Sequence, residues 1–521
     1  MKLSTISFFG ILVIILIFFN LINKSSTKFS ENEILKCESL NSKYSNFLDE
    51  TSIKNLKLEI KFYDERKWKR RIIKGHKISF ENEEKYGHRL FSYNKRSKGF
   101  VFIELPGNKK CLIEAEIRPH GDFLDHRSGL DLPSLNIILV NGNIKGIKRF
   151  ILFRPLSRHY DNEILASSFF SEIGFLSPRT SNVRVLYNER YYNFIFQENI
   201  SKELLEFNSF NEGIIIKCDE RFAWFDDYST EKLSYNRAWN TKFSEKSEKN
   251  MSMAEYSVSL LNNLLRIHKN EVSSKMVVDY HTVSKNLNKD FFRNLDVYDA
   301  LSYALEAPHG LARDDRRFYF NIEEKIFYPI YYDGMSRMVT LDNKPVHLNP
   351  NTPHFRKTYF RQGSSTKFIP SVKTGAKKAL VLVDNINTEN FHTTLLERGM
   401  DINKKDLINV LERIKNNLKN LNKISHDRVY KVNTNIDEKP YMTEADNYNK
   451  EIKRRLMFYE KFPNKFLNCN LQGSDCKQIN LDMSQKVKLL NQKLMLDKIE
   501  IIYVGKKKNN SPNNGWYYQS R

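Results

Sequence analysis

Cysteine is scarce in this chain: five in 521 residues. At 37, 111, 218, 469 and 476 they are too scattered for a disulfide framework, and none stands at a zinc-type spacing with histidine. Only Cys469 and Cys476 are neighbours, flanking the turn-like NLQGSD, a loop closed by one disulfide in an oxidising compartment or else carrying two thiols. No unit of fixed period recurs, which argues against a repeat architecture. Concentrated charge is missing too. Lys and Arg number 84 against 62 Asp and Glu, a net of +22, but the excess is spread along the chain. That is compositional bias rather than a footprint for specific nucleic acid, and it leaves acidic polymers, anionic head groups and nucleotide phosphates open as partners.

Long apolar runs are absent except for ISFFGILVIILIFFNLI at 6–22. Its length sits at the lower limit of the ~17 to 25 residues that span a bilayer and exceeds the ~7 to 15 of a signal-peptide core. NKSSTKFS follows, with no Ala-x-Ala pattern, so 1–25 reads as an uncleaved transmembrane anchor and 26–52 as a polar stalk. Lys2 competes with Lys24 and Lys28 over orientation. The expectation is a single-pass membrane protein with its bulk outside the cytoplasm.

From residue 53 the apolar spacing turns to period two, in LKLEIKFYDERKWKRRIIKG and KGFVFIELPGNKKCLIEAEIRPHGDFLDH, then in LPSLNIILVN and KRFILFRPLSR. NEILASSFFSEIGF carries helical spacing and stops at Gly174. NVRVLYNERYYNFIFQENI is a hairpin turning at Asn188 and Glu189, and EGIIIKCDE a short buried strand. Residues 251–305 carry i, i+3, i+4 stripes of helices, and a polar loop covers 342–374. KDLINVLERIKNNLKNL and EIKRRLMFYEKF are further helices, and GKKKNNSPNNGWYYQSR is a flexible tail.

The stretch HGLARDDRRFYFNIEEKIFYPIYYDGM, residues 309–335, sets two aromatic-rich runs around a polar turn. Folding it about Glu323 and Glu324 brings Asp314 and Asp315 beside Tyr332 and Asp333. Carboxylates that close need a cation or a shared proton. Alternatively they cap loops or pair with Arg313, Arg316 and Arg337. Two oxygen ligands across a hairpin suit Mg²⁺, which takes one or two carboxylates with phosphate and water.

Several stretches resemble, in content and order, the CotH kinase family, named for a spore coat protein, and within it a membrane-associated bacterial branch. They are RPHGDFLDH at 118–126, GIKRFILFRPLSR at 146–158, NEILASSFFSEIGFLSPR at 162–179, NVRVLYNERYYNFIFQENISKELLE from Asn182, EGIIIKCDE from Glu212, and the hairpin. The resemblance covers about residues 55–340. It implies an α+β, atypical protein-kinase-like two-lobed fold over 53–380, with a β-rich lobe at 53–235 and a helical lobe with the hairpin at 250–380; the resemblance stops there, and 381–521 reads from its residues as a helical extension with a flexible tail. The resemblance further implies transfer of the γ-phosphoryl of ATP, with Mg²⁺, to a Ser or Thr hydroxyl of an envelope or coat protein.

Residue by residue, the resemblance makes Asp333, followed by Gly334, a metal ligand, and sets Asp315 where relatives carry an Asn ligand. The family's catalytic Asp would fall on Gly310, which cannot act as a base. His309 beside it, or Asp314, is the candidate replacement, since a neutral imidazole titrates near pH 7; a lone loop histidine is more often structural. Lys217 with Glu198 is the candidate phosphate clamp, against a plain salt bridge worth ~0 to 1 kcal/mol. Arg118, His120 and Asp122 form a phosphate-facing or substrate-facing loop, to which Arg154 and Arg158 add positive charge. Two other readings stand: a non-catalytic scaffold that lost its base, or a carbohydrate-processing enzyme, since paired carboxylates ~5 to 9.5 Å apart also suit glycoside hydrolysis.

Overall fold

The computed structural model describes residues 34–40, 42–86, 95–121, 126–128, 132–218, 236–271, 278–312, 315–346 and 370–423, with strands at 454–459, 465–469, 476–480 and 499–504. Ten strands occupy the first part: β1 (Ile34–Lys36), β2 (Lys57–Phe62), β3 (Ser97–Leu105), β4 (Lys109–Pro119), the two-residue β5 (Arg127–Ser128) and β6 (Leu132–Pro133), β7 (Leu135–Leu139), β8 (Arg149–Phe153), β9 (Thr180–Tyr187) and β10 (Arg190–Glu198). The order β4-β3-β2-β9-β10-β8-β7 returns on itself through a β4–β7 pairing, closing a seven-stranded barrel with β1 added outside β4. Strict alternation makes this possible: Val101, Ile103 and Leu105 of β3, and Cys111, Ile113, Ala115 and Ile117 of β4, all point into one apolar cluster. A disulfide joins Cys37, just after β1, to Cys111 in β4.

Two segments depart from their expected local structure. The stretch 26–52 was read as a stalk, yet its described part folds as β1, a turn and the helix α1 (Ser42–Glu50), packed on the barrel. LKLEIKFYDERKWKRRIIKG is extended only to Phe62. Asp64 then caps a turn by accepting from Lys67 N (2.8 Å), and α2 (Glu65–Tyr86) follows. Trp68 and Ile72, one helical turn apart, are its buried anchors; Trp68 stacks on Phe62 (centroids 4.1 Å) and donates to Tyr187 Oη (2.9 Å).

Beyond the barrel come α3 (Asn162–Glu172), α4 (Lys202–Phe207), α5 (Thr241–Ser244), α6 (Glu248–Glu271), α7 (Tyr280–Asn286), α8 (Leu295–Ala304), α9 (Pro370–Asp384), α10 (Thr388–Glu397) and α11 (Lys404–Lys423). A second, antiparallel sheet has the order β12-β11-β13-β14, made of β11 (Ile214–Cys218), β12 (Asn236–Ala238), β13 (Arg317–Asn321) and β14 (Ile326–Ile330). Helix α3 is buried on all sides from Asn162 to Phe170 and forms the centre of the molecule. A single apolar cluster runs from Ile151 and Phe153 of β8 through α3, the second sheet and α8 to Leu421 of α11.

The two-lobed kinase-like architecture is therefore overturned. The β-rich part is a closed barrel with a core cluster of its own, the helical part packs on it through Ile151, Phe153 and Ile195 of β8 and β10, and the expected boundary at 380 falls inside α9. Among the described residues no helix is long and apolar enough to cross a membrane. The described residues therefore supply neither the expected transmembrane element nor any support for the single-pass, extracytoplasmic placement built on it; residues 1–25, to which the anchor was assigned, lie outside them. The extension is not all helical either: EIKRRLMFYEKF contains the strand β15 (Arg454–Tyr459), in a sheet with β16 (Lys465–Cys469), β17 (Cys476–Asn480) and β18 (Ile499–Val504). Cys469 and Cys476 face each other in the β16–β17 register.

Candidate functional site

The hairpin β13–β14 pairs Arg317 with Ile330 through to Asn321 with Ile326. Its alternation serves two cores: Phe318, Phe320 and Phe327 enter the main cluster, while Tyr319 and Ile330 enter a smaller one under α4. The Asn321 side chain closes the turn by accepting from Glu323 N (3.0 Å) and Glu324 N (3.2 Å). Both chain ends therefore leave on one side, with Asp315 just before β13 and Asp333 just after β14. Asp333 sits at φ 46°, the left-handed region that non-glycine residues adopt only when held there.

At this end His309, Asp315 and Asp333 converge, each offering one ligand atom, all within 4.8 Å of one another. His309 Nδ1 lies 3.2 Å from Asp315 Oδ2, yet the contact lacks hydrogen-bond geometry and Nδ1 has no partner. Asp333 Oδ2 meets Arg158 Nη1 at 3.1 Å, whereas its Oδ1 is buried and accepts nothing. A buried oxygen and nitrogen left without partners beside a second carboxylate are what a divalent cation would satisfy. One imidazole and two carboxylates fit Mg²⁺ and also Mn²⁺ or Zn²⁺.

The surroundings hold these ligands firmly. Arg316, next to Asp315, is buried and donates to Asp299 Oδ1 (2.7 Å) and Leu311 O (3.3 Å), and Ser371 Oγ donates to Asp299 Oδ2 (2.7 Å). Burial outweighs Arg316 at Asp299 and pushes its carboxyl up to about 7. The backbone N of His309 donates to Gly334 O (3.3 Å), linking the two ligand-bearing loops. Arg158 ends a short turn, Pro155–Arg158, and lays its guanidinium over the Phe153 ring (3.8 Å). Behind it Glu163, at the start of α3, accepts from Gln197 Nε2 (2.8 Å) and Tyr331 Oη (3.0 Å). Burial, followed by the Asp333 charge, pushes the Glu163 carboxyl up to about 7.

Positive charge lines the barrel side. His120 stands edge-on to Phe153 (5.0 Å) and His126 (5.5 Å). Burial, then His126, Arg118, Arg158 and Lys217, hold its imidazole well below its usual pKa, so it is neutral at pH 7. Gly121 permits this arrangement: its φ is +82°, and a Cβ there would fall 2.0 Å from the His126 ring.

Of the residues expected at the site, His309, Asp315 and Asp333 are brought together, and Asp314 lies outside the described residues. Lys217 is on β11 between Arg237 and Arg317 of the neighbouring strands, with Nζ 4.7 Å from the Trp239 ring centroid. Glu198 is not its partner: that buried carboxylate is held in a bidentate pair by Arg179, at 2.8 and 2.7 Å. Arg118 lies on β4, donates to Pro119 O (3.1 Å), and contributes to the field at His120. A side chain at Gly310 would press on Ser302 Oγ (3.0 Å) and Tyr298 Oη (3.5 Å) of α8. Glu163 and Tyr331 were missed; the one signal for Glu163 was an acid opening a buried helix that carries no other charge until Glu172.

A cavity of about 240 Å³ lies apart from this cluster, between residues 37–49 and Ile103 and Ile144 of the barrel. Its lining includes Glu38, Asp49 and Lys145, but among the described residues no set of ligand atoms converges there.

No family model matches the chain, and no curated protein matches it. Among solved structures, the crystal structure of the Helicobacter pylori proinflammatory kinase CtkA aligns with 58% of this chain and 96% of its own, at 11% identity and a TM-score of 0.21. A likeness that slight carries no argument about fold or activity.

Proposed function

We propose that the protein is a cation-dependent phosphotransferase, binding ATP with Mg²⁺ at His309, Asp315 and Asp333 and transferring the γ-phosphoryl to a hydroxyl, of the Ser or Thr kind, on a protein. The observation that carries the reading is the convergence of three ligand atoms within 4.8 Å, on residues that include the buried His309 Nδ1 and Asp333 Oδ1, neither of which has a hydrogen-bond partner. When bound, the cation would neutralise phosphate charge and polarise the transferred group. Asp315 and Asp333 would supply oxygens and His309 a nitrogen, which gives His309 a ligand's role in place of a base's. Arg158, Lys217 and Arg118 place positive charge on the barrel side, where a polyphosphate would lie between them and the cation.

One observation favours binding without turnover. The position at which the family resemblance implies a catalytic Asp is Gly310, whose Cβ direction is filled by α8. Calorimetric titration with ATP and Mg²⁺, on the protein and on Asp333→Ala, separates the readings when followed by an assay for labelled phosphoprotein. Cation-dependent ATP binding lost in the variant, with labelled product, supports the transferase; the same binding without product supports a nucleotide-binding scaffold. A folded protein that binds no ATP with metal removes both.

A further inference from the structure

Glu163 reaches the cation site from behind without being one of its ligands. It touches the barrel through Gln197 of β10 and the hairpin exit through Tyr331, both fully buried. The Tyr331 ring is itself fixed, stacked on Phe170 of α3 with centroids 4.7 Å apart. Its hydroxyl is pressed into the turn that carries Asp333: a Cβ at Gly334 would stand 2.6 Å from that oxygen. Glu163 is also among the negative charges bearing on Arg158, together with Asp333 and Asp315. One carboxylate thus braces both constraints on Asp333, the turn at its backbone and the guanidinium on its Oδ2.

We propose that Glu163 is a positioning residue of the cation site, holding Asp333 through Tyr331 and Arg158 so that one Asp333 oxygen is left for the cation. This rests on the reading of His309, Asp315 and Asp333 as cation ligands. Left-handed backbone at an aspartate costs energy and relaxes unless its surroundings enforce it. A support one contact removed from a ligand changes metal affinity by about 10- to 100-fold when lost.

The test is titration of the full chain with Mn²⁺, following free Mn²⁺ by electron paramagnetic resonance, with thermal melting in the absence of metal. Tyr331→Phe removes one oxygen atom and Glu163→Gln one charge; each is expected to weaken Mn²⁺ binding about 10-fold, and the double variant no more than Glu163→Gln alone, because the Tyr331 link is one of the two that Glu163 holds. Gln197→Leu cuts only the barrel-side contact of Glu163. It should lower the melting temperature while keeping Mn²⁺ affinity within about threefold of the parent. The proposal is overturned if Tyr331→Phe and Glu163→Gln bind like the parent, or if Gln197→Leu weakens binding as much as they do, since the loss then follows stability. Asp333→Asn separates the premise from the inference: if it too binds Mn²⁺ like the parent, or if the parent binds none, the cation-site reading itself fails.

Discussion

Two aspartate–arginine pairs stand at the two chain ends of the hairpin, one through Arg316 just before β13 and one through Asp333 just after β14, and they differ in how fully the carboxylate is satisfied. At Asp299–Arg316 both carboxylate oxygens are taken, one by the guanidinium and one by Ser371, on an ordinary helix. At Asp333–Arg158 one oxygen is taken, the other accepts nothing, and the backbone is left-handed. The chemistry of the pairs is identical. A carboxylate with both oxygens taken marks the first as a structural tie; an open oxygen on a strained residue marks the second as a site.

The largest effect expected from breaking this contrast is at the structural tie. Asp299→Ala leaves the buried donors of Arg316 and Ser371 without their acceptor, and urea denaturation should show a loss of about 3–5 kcal/mol. Asp333→Asn should cost only about 1 kcal/mol, because Asn tolerates the left-handed region and Glu163 and Asp315 still bear on Arg158. Equal losses in the two variants would erase the distinction.

Next in size is a pH dependence. Glu163 and Asp299 rise from ordinary values of 4.5 and 3.8 to about 7 in the folded protein. The folded state therefore holds more protons than the unfolded one between these limits, so their contribution is full below about pH 4 and is lost as pH rises through 7. Unfolding free energies measured from pH 4 to 8 should carry a falling component on the order of 1–3 kcal/mol from each group. Glu163→Gln should remove one such component, and an unchanged profile would count against the burial argument.

The smallest effect sharpens the role of burial. Arg293 and Glu324 form a pair at 3.1 Å, but both side chains are well exposed, at 48% and 39%. Arg293→Ala should change stability by less than about 0.5 kcal/mol in the same denaturation assay.

How much of this was legible in the sequence follows the range of the interactions. The hairpin that gathers Asp315 and Asp333 was readable because a polar turn between alternating runs determines its own register. So was the turn at Asn188 and Glu189, both of which adopt positive φ. Barrel closure was not, since the β4–β7 pairing joins strands that carry the same alternation whether a sheet is open or closed. Helix α2 was misread because ERKWKRRIIKG supplies few apolar residues, and Trp68 with Ile72 fits period two as well as a helical turn. Glu198 was given the wrong partner because its strand neighbour in space, Arg179, lies across a hairpin whose charges do not reveal their side-chain directions.

The strand β4 carries one more consequence. Of its eleven residues β3 pairs with Lys109–Ile117 on one flank, while the other flank is divided: β7 takes Ala115–Pro119 and β1 takes Lys110–Leu112. Where the tilt of the barrel draws β7 away, a short stretch of unsatisfied main chain would face outward, a ready template for a strand from another molecule. The three residues of β1 cover it, and the Cys37–Cys111 bond pins them there. Reducing this disulfide is expected to free the cover, and size-exclusion chromatography with and without reductant should then show dimers or larger species recruited through that edge of the barrel.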